Sequence, residues 1–189
     1  MNDEFVVYKG SGISDLKILE KLPESLRNFL QKTNGFIAFD GGLHIRGIVD
    51  SPDWHSLQKV WFGDFSMHTM FSSLKESDIP FGQDCLGDQY VLRDETVWQL
   101  SSETDELENL RLSLENFLTK TEENPVDFLS LQPLLKFMKE GGKLEKGQLL
   151  SVYPPFCTKE SAEGISLKAI PLFDRLSFLA DFARQVNGL

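Results

Sequence analysis

Between Ile79 and Leu100 the chain alternates short apolar segments with turn residues: Ile79-Pro80-Phe81-Gly82, Asp84-Cys85-Leu86-Gly87-Asp88, Tyr90-Val91-Leu92, Asp94-Glu95, then Val97-Trp98-Gln99-Leu100. Strands this close in sequence must run antiparallel, because a parallel crossover takes a dozen or more residues. This stretch therefore predicts three strands of an antiparallel meander, and it sets the sheet type for the whole chain. Upstream, Phe36–Phe39 and Leu43–Ile48 are apolar and joined by Asp40-Gly41-Gly42, a permissive turn that predicts a further hairpin.

Helical spacing flanks these strands. Ser14–Leu22 reads as a short amphipathic helix, with Ser14 as N-cap and Leu16, Ile18 and Leu19 inward. A second helix starts at Pro23, carries Leu26, Phe29 and Leu30, and stops at Asn34-Gly35. Asp53 could cap a helix bearing Trp54, Leu57, Val60 and Trp61, while a strand over Val60–Phe62 fits the same residues. Ser113–Thr121 is again helical, with Leu114, Phe117 and Leu118 on one face. Beyond Asn124-Pro125, the run from Phe128 to Met138 reads as a helix interrupted by Pro133 and ended by Gly141-Gly142. Leu149–Tyr153 and Ile165–Ile170 read as strands, and a final helix runs from Pro171 to Gly188.

The expectation is an α+β fold: a single domain with a mostly antiparallel sheet and packed helices over residues 1–123, and an α/β extension over 124–189 packed on the same core. With 189 residues, 41% of them apolar, the chain can bury about 70% of its unfolded surface, enough for one sizeable core. Cys85 and Cys157 are too sparse for a disulfide framework or a structural zinc site. The N-terminal residues lack the basic and apolar regions of a signal peptide, and no apolar run reaches the ~20 residues of a membrane span. A soluble, cytoplasmic protein is expected.

The formal net charge is −10, and it is concentrated. Glu76–Glu123 holds thirteen acids against Arg93, Arg111 and Lys120, and the rest of the chain is neutral. Such a balance argues against nucleic acid, whose phosphates need clustered Lys and Arg, and against an anionic membrane. The run reads either as a solvated face or as a negative patch that steers a basic protein partner.

Residues for chemistry are scarce. His44, His55 and His68 show no metal-ligand spacing, and there is neither a nucleophile elbow nor a phosphate loop. Asp84 and Asp88 flank Gly87 and suit an acid–base pair or a hard cation, but Asp before Gly equally makes a turn. Trp54, Trp61 and Trp98 suit core packing or recognition. No catalytic residue, metal or cofactor is assigned.

Taken in order, Leu22-Pro23-Glu24-Ser25-Leu26, Phe29-Leu30, Asn34-Gly35, Leu43-His44-Ile45-Arg46-Gly47, Ile79-Pro80-Phe81-Gly82, Gly87-Asp88-Gln89-Tyr90, Val97–Leu100 and Ser113–Leu118 resemble the SUKH superfamily. It comprises fungal cell-wall synthesis regulators and bacterial immunity proteins against polymorphic toxins. The resemblance spans about residues 14–120 and implies an α+β fold and non-catalytic protein binding. The leading expectation is an immunity protein for a cognate basic toxin, with a nuclease as a candidate. Its partner-binding residues would be Asp84, Asp88, Asp94, Glu95, Glu103, Asp105, Glu106 and Glu108, with Trp98 or Trp54 as aromatic anchor. A regulatory or scaffolding module of the cell-wall-regulator type is the first alternative, and a small-molecule binder or enzyme the second.

Overall fold

A computed structural model describes residues 2–188. Seven strands form one antiparallel sheet in sequence order: β1 (Val6–Lys9), β2 (Phe36–Ala38), β3 (Leu43–Ile45), β4 (Ile79–Asp84), β5 (Gln89–Arg93), β6 (Thr96–Ser101) and β7 (Glu106–Leu112). The meander expected around Ile79–Leu100 is present, and both ends of it are longer than the sequence reading. Strands β1 and β7 extend the sheet beyond the segments whose sequence pattern predicts strands. Glu106-Leu107-Glu108 carries the alternation of a half-buried strand, but its dense acids draw attention to charge instead.

Helices α1 (Leu16–Lys21) and α2 (Glu24–Lys32) precede β2. Asp15, rather than Ser14, caps α1, accepting from the amides of Lys17 and Ile18. Gly35 follows α2 at φ +76°, and a Cβ there would lie 2.6 Å from the Arg46 carbonyl carbon, so the position demands glycine for both conformation and space. The ambiguous segment after Asp53 is a 3-10 turn over Asp53–His55 followed by α3 (Leu57–Trp61), then α4 (Met67–Met70). Helix wins over strand there because Leu57 and Val60 share one inward face.

After β7 come α5 (Leu114–Glu123), α6 (Pro125–Phe128) and α7 (Gln132–Lys139), then strands β8 (Gln148–Tyr153) and β9 (Ser166–Pro171), which pair only with each other, and α8 (Leu172–Val186). Pro133 starts α7 instead of interrupting a longer helix, since a proline in the first turn loses no helical hydrogen bond.

Register places one row of side chains across the whole sheet: Tyr8, Ile37, His44, Gln83, Gln89, Leu100 and Leu107. They share a face because alternate residues of a strand point the same way. Trp54 and His55 pack on its Tyr8–His44 end. The opposite face receives α2 and α5, through Phe29 against Phe36 and Phe117 against Tyr90. Leu149, Leu172, Leu176 and Leu179 belong to the same continuous apolar core as the sheet. The Leu150 amide donates to the Cys85 carbonyl at 2.7 Å, tying β8 to the β4–β5 turn.

The polar row is organised by Arg46, only 1% exposed. Its guanidinium donates to the carbonyls of Pro80 (2.7 Å) and Gly82 (3.4 Å) and to the side-chain oxygens of Gln83 and Gln89 (2.8 Å). All four acceptors are neutral, and burial pushes the Arg46 pKa down to about 9, which leaves it charged at neutral pH. Next to it, His55 Nε2 lies 3.1 Å from the Asn34 carbonyl, which can only accept. His55 Nδ1 is therefore an acceptor, and His44 donates to it at 2.9 Å. Both rings are neutral, since burial pushes His55 down to about 4 and His44 well below its ordinary value. The contribution of each to stability is complete above the unfolded value of 6.5 and falls as pH drops below it, for His55 down to about 4.

Arg46→Ala strips one cation from several buried acceptors at once, and chemical denaturation should show a loss of about 3–5 kcal/mol in unfolding free energy.

Candidate functional site

The acids that cluster in sequence are parted by the sheet. Strand β6 runs from the β5–β6 turn to the β6–β7 turn, so Asp94 and Glu95 lie at one end and Glu103 and Asp105 at the other. Asp94 and Glu95 have φ of +49° and +59°, the paired left-handed values of a tight hairpin turn, and the Glu95 carboxylate accepts from the Ser25 hydroxyl on α2.

Asp84, 2% exposed, is withdrawn from any surface. Its Oδ1 accepts from the amides of Leu86 (2.9 Å), Gly87 (2.9 Å) and Asp88 (3.0 Å), so it closes the β4–β5 turn from within. Placing Asp84 among partner-contacting residues is corrected on this ground. Asp88 is half-buried and accepts from the Ser102 amide at 2.8 Å, joining the β4–β5 turn to the β6–β7 turn. Asp105 accepts from the amides and hydroxyls of Ser72 and Ser73, pinning that loop to the start of β7.

The aromatic anchors are separated too. Trp54 packs against Tyr8 of β1 and His44 of β3, whereas Trp98 is on β6 under the Arg93 guanidinium, whose carbon lies 4.8 Å from the ring centroid. Arg93 is itself held by Asp78 at 2.5 Å. The two tryptophans thus sit on different parts of the sheet, one at β1 and β3 and the other on β6.

What the structure does bring together is a groove of about 340 Å³ where the β4–β5 and β6–β7 turns meet the C-terminal extension. Asp88, Glu103 and Glu106 line it on the sheet side, and Phe156, Cys157 and Arg175 on the other. Arg175 is buried on α8. It donates to the Leu86 carbonyl at 3.3 Å and stands 3.7 Å from the Glu103 carboxylate, which also accepts from the Cys157 amide at 3.1 Å. Glu103 thus spends its charge inside the molecule. Glu106 and Glu108 are exposed on β7, the last strand of the sheet, and Phe156, 43% exposed, lines the groove with Glu106. Phe156 and Arg175 escape a sequence reading: one follows two prolines in a loop, and the other interrupts an apolar helix face as a lone cation.

Burial pushes Asp88 up to about 6, with the Ser102 bond and Arg175 opposing and Glu103 reinforcing, and burial likewise raises Asp84 and the thiol of Cys85. No group of His, Cys, Asp and Glu among the described residues is arranged to hold a metal ion. No helix among them is long and apolar enough to cross a membrane.

An antiparallel meander of seven strands with helices packed against it and a small second sheet defines an α+β fold. Residues 15–120, more than half of the chain, match the model of the SMI1 / KNR4 family (SUKH-1), and the chain belongs to that family. The fold is shared with a solved structure, that of Atu4351 from Agrobacterium tumefaciens, at a TM-score of 0.54 and 12% identity, covering 94% of this chain and 85% of that one. No curated protein matches the chain in sequence.

Because its pKa lies near 6 when folded and near 4 when unfolded, Asp88 contributes stability present at low pH and lost as pH rises through about 6. Asp88→Asn keeps an acceptor for Ser102 and removes the charge. The variant should gain on the wild type between pH 5 and pH 7.5, read as the difference in urea midpoint at the two values.

Proposed function

We propose that the chain is a non-catalytic protein-binding module, and specifically an immunity protein that neutralises a basic cognate toxin. Membership of the SUKH-1 family supports protein binding at the coarse level. The observation that carries the finer reading is the exposed pair Glu106 and Glu108 on the terminal strand β7, beside a groove that also holds Asp88 and a half-exposed Phe156. An acidic edge next to an apolar side chain suits a basic protein. Charge raises the encounter rate, and the aromatic group slows release once it is desolvated. Asp94 and Glu95, at the opposite end of β6, serve as an internal control with equal charge and a different location.

Expressing the genes on either side of the coding sequence, with and without this chain, tests the reading by survival and co-purification. Rescue through a stable complex supports immunity. A harmless neighbour with no complex transfers the weight to a regulatory module acting on endogenous partners. With a partner in hand, Glu106→Lys with Glu108→Lys should slow association at least tenfold at low ionic strength. Asp94→Lys with Glu95→Lys should leave the rate within about twofold in the same stopped-flow measurement, since those turn residues point away from the groove.

A further inference from the structure

The seven-stranded sheet has two outer strands, and they differ in what they leave unpaired. Strand β1 has four residues and a register shift between Val6 and Tyr8, and its Lys9 is tied to Asp3 at 2.9 Å. Strand β7 has seven residues and pairs in unbroken register with β6 through Glu106, Leu107, Glu108 and Asn109. Among the described residues, no backbone hydrogen bond outside that ladder joins Glu106–Leu112 to another element. Alternate residues on its outer edge therefore hold N–H and C=O groups available to a further strand. The regular ladder has a fixed end. Leu110 and Arg111 are inserted between the Asn109–Trp98 and Leu112–Val97 pairs, with Arg111 at φ +57°.

Glu106 and Glu108, two residues apart, share one face of this edge, and both are exposed. Neither forms an ion pair among the described residues, and Glu106 accepts only from the Thr104 hydroxyl at 3.2 Å. Asp105, just before them, adds a negative charge whose partners Ser72 and Ser73 are neutral. The strand's single cation, Arg111, lies beyond the insertion. This charge decides what can be added. A second copy would pair β7 with β7 about a two-fold axis. An axis at Leu107 sets Glu106 against Glu108 of the other copy, and an axis at Glu106 or Glu108 sets that residue against itself. Like charges directly opposite are destabilising. An axis at Asn109 would run the pairing through the inserted Leu110 and Arg111.

We propose that the outer edge of β7, at residues 106–109, takes an added β-strand from the protein partner, one with Lys or Arg at alternate positions across from Glu106 and Glu108. The inference rests on the reading of the chain as a binder of a basic protein, and it names the element and the mode of contact. In strand addition the main-chain bonds supply affinity and the alternate side chains supply choice of partner. The glutamates that bar a copy of this chain favour a basic strand, because opposite charges facing across strands stabilise the pairing. Glu106 also lines the groove with Phe156, so the added strand meets that groove at one end.

The test is amide hydrogen exchange on the full-length ¹⁵N-labelled chain with N-acetylated, C-amidated Lys-Val-Lys-Val-Lys-Val at low ionic strength. The control is the same peptide with all its residues N-methylated, which keeps the charges and cannot pair with an edge. At a peptide concentration about ten times its Kd, the outward amides within 106–109 should exchange about tenfold more slowly, and the control should give no such protection. Glu106→Gln with Glu108→Gln keeps the edge, and it should weaken the peptide roughly twofold to fivefold for each charge and flatten its salt dependence. Equal binding of both peptides at Glu106 and Glu108, without protection, would overturn strand addition and leave the basic-partner reading standing. Protection at residues 6–9 instead would overturn the choice of edge. No binding of either peptide would overturn both readings. Dimerisation of the chain alone, seen by sedimentation and protecting the same amides, would overturn the proposal in favour of a second copy.

Discussion

One cation in the middle of the sheet constrains the rest of the molecule. Arg46 follows β3 and is sealed from water, and its charge is met by carbonyls and amide oxygens from β4 and β5 instead of by a carboxylate. Its two terminal nitrogens are served by these acceptors while Nε has no hydrogen-bond partner among the described residues, so each further acceptor lost would leave more charge desolvated in a medium of low dielectric. The register of β3, β4 and β5 is therefore bound to a single set of distances. A one-residue slip would carry Gln83 or Gln89 to the other face and strand the cation. The neutral His44–His55 pair extends the same polar layer toward β1.

The acidic segment divides its labour in a way that its density in sequence conceals. Asp84 closes a turn, Asp88 joins two turns, Asp105 pins a loop, and Glu103 is engaged by Arg175 and the Cys157 amide. Those carboxylates are hydrogen-bonding devices of the fold. Glu106 and Glu108 stay exposed on β7, where the sheet ends, with Glu106 accepting only from the nearby Thr104 hydroxyl among the described residues. A local charge count overstates the field available to a partner because the interior consumes part of it.

The residues after Asn124 complete the molecule. Leu149, Leu176 and Leu179 of the extension close over Gly87, where φ is +103° and a Cβ would come within 2.8 Å of Leu179. That glycine, noticed in sequence as a turn residue, is equally a packing surface for α8. The extension thereby buries Asp88 and raises its pKa, and it supplies Arg175 to offset the charge. The groove exists because two turns of the sheet and the extension meet there.

Sequence alone determined the α+β class, the antiparallel meander from Ile79 to Leu100, and the helices that begin near Pro23, Ser113 and Pro171, because period, turn residues and caps act over a few positions. It also carried the ordered motifs that resemble the family. It left β7 unread behind its acids, took Pro133 for a breaker, and grouped Asp84, Asp94 and Glu106 as neighbours. Only the tertiary structure decided that these three point to an interior turn, one sheet end and the other. It likewise set Trp54 apart from Trp98, buried Arg46, and left Phe156 and Phe178 facing outward. The reason is physical: proximity along a chain fixes which residues share a turn, whereas exposure and partnership depend on how strands and helices distant in sequence close over one another.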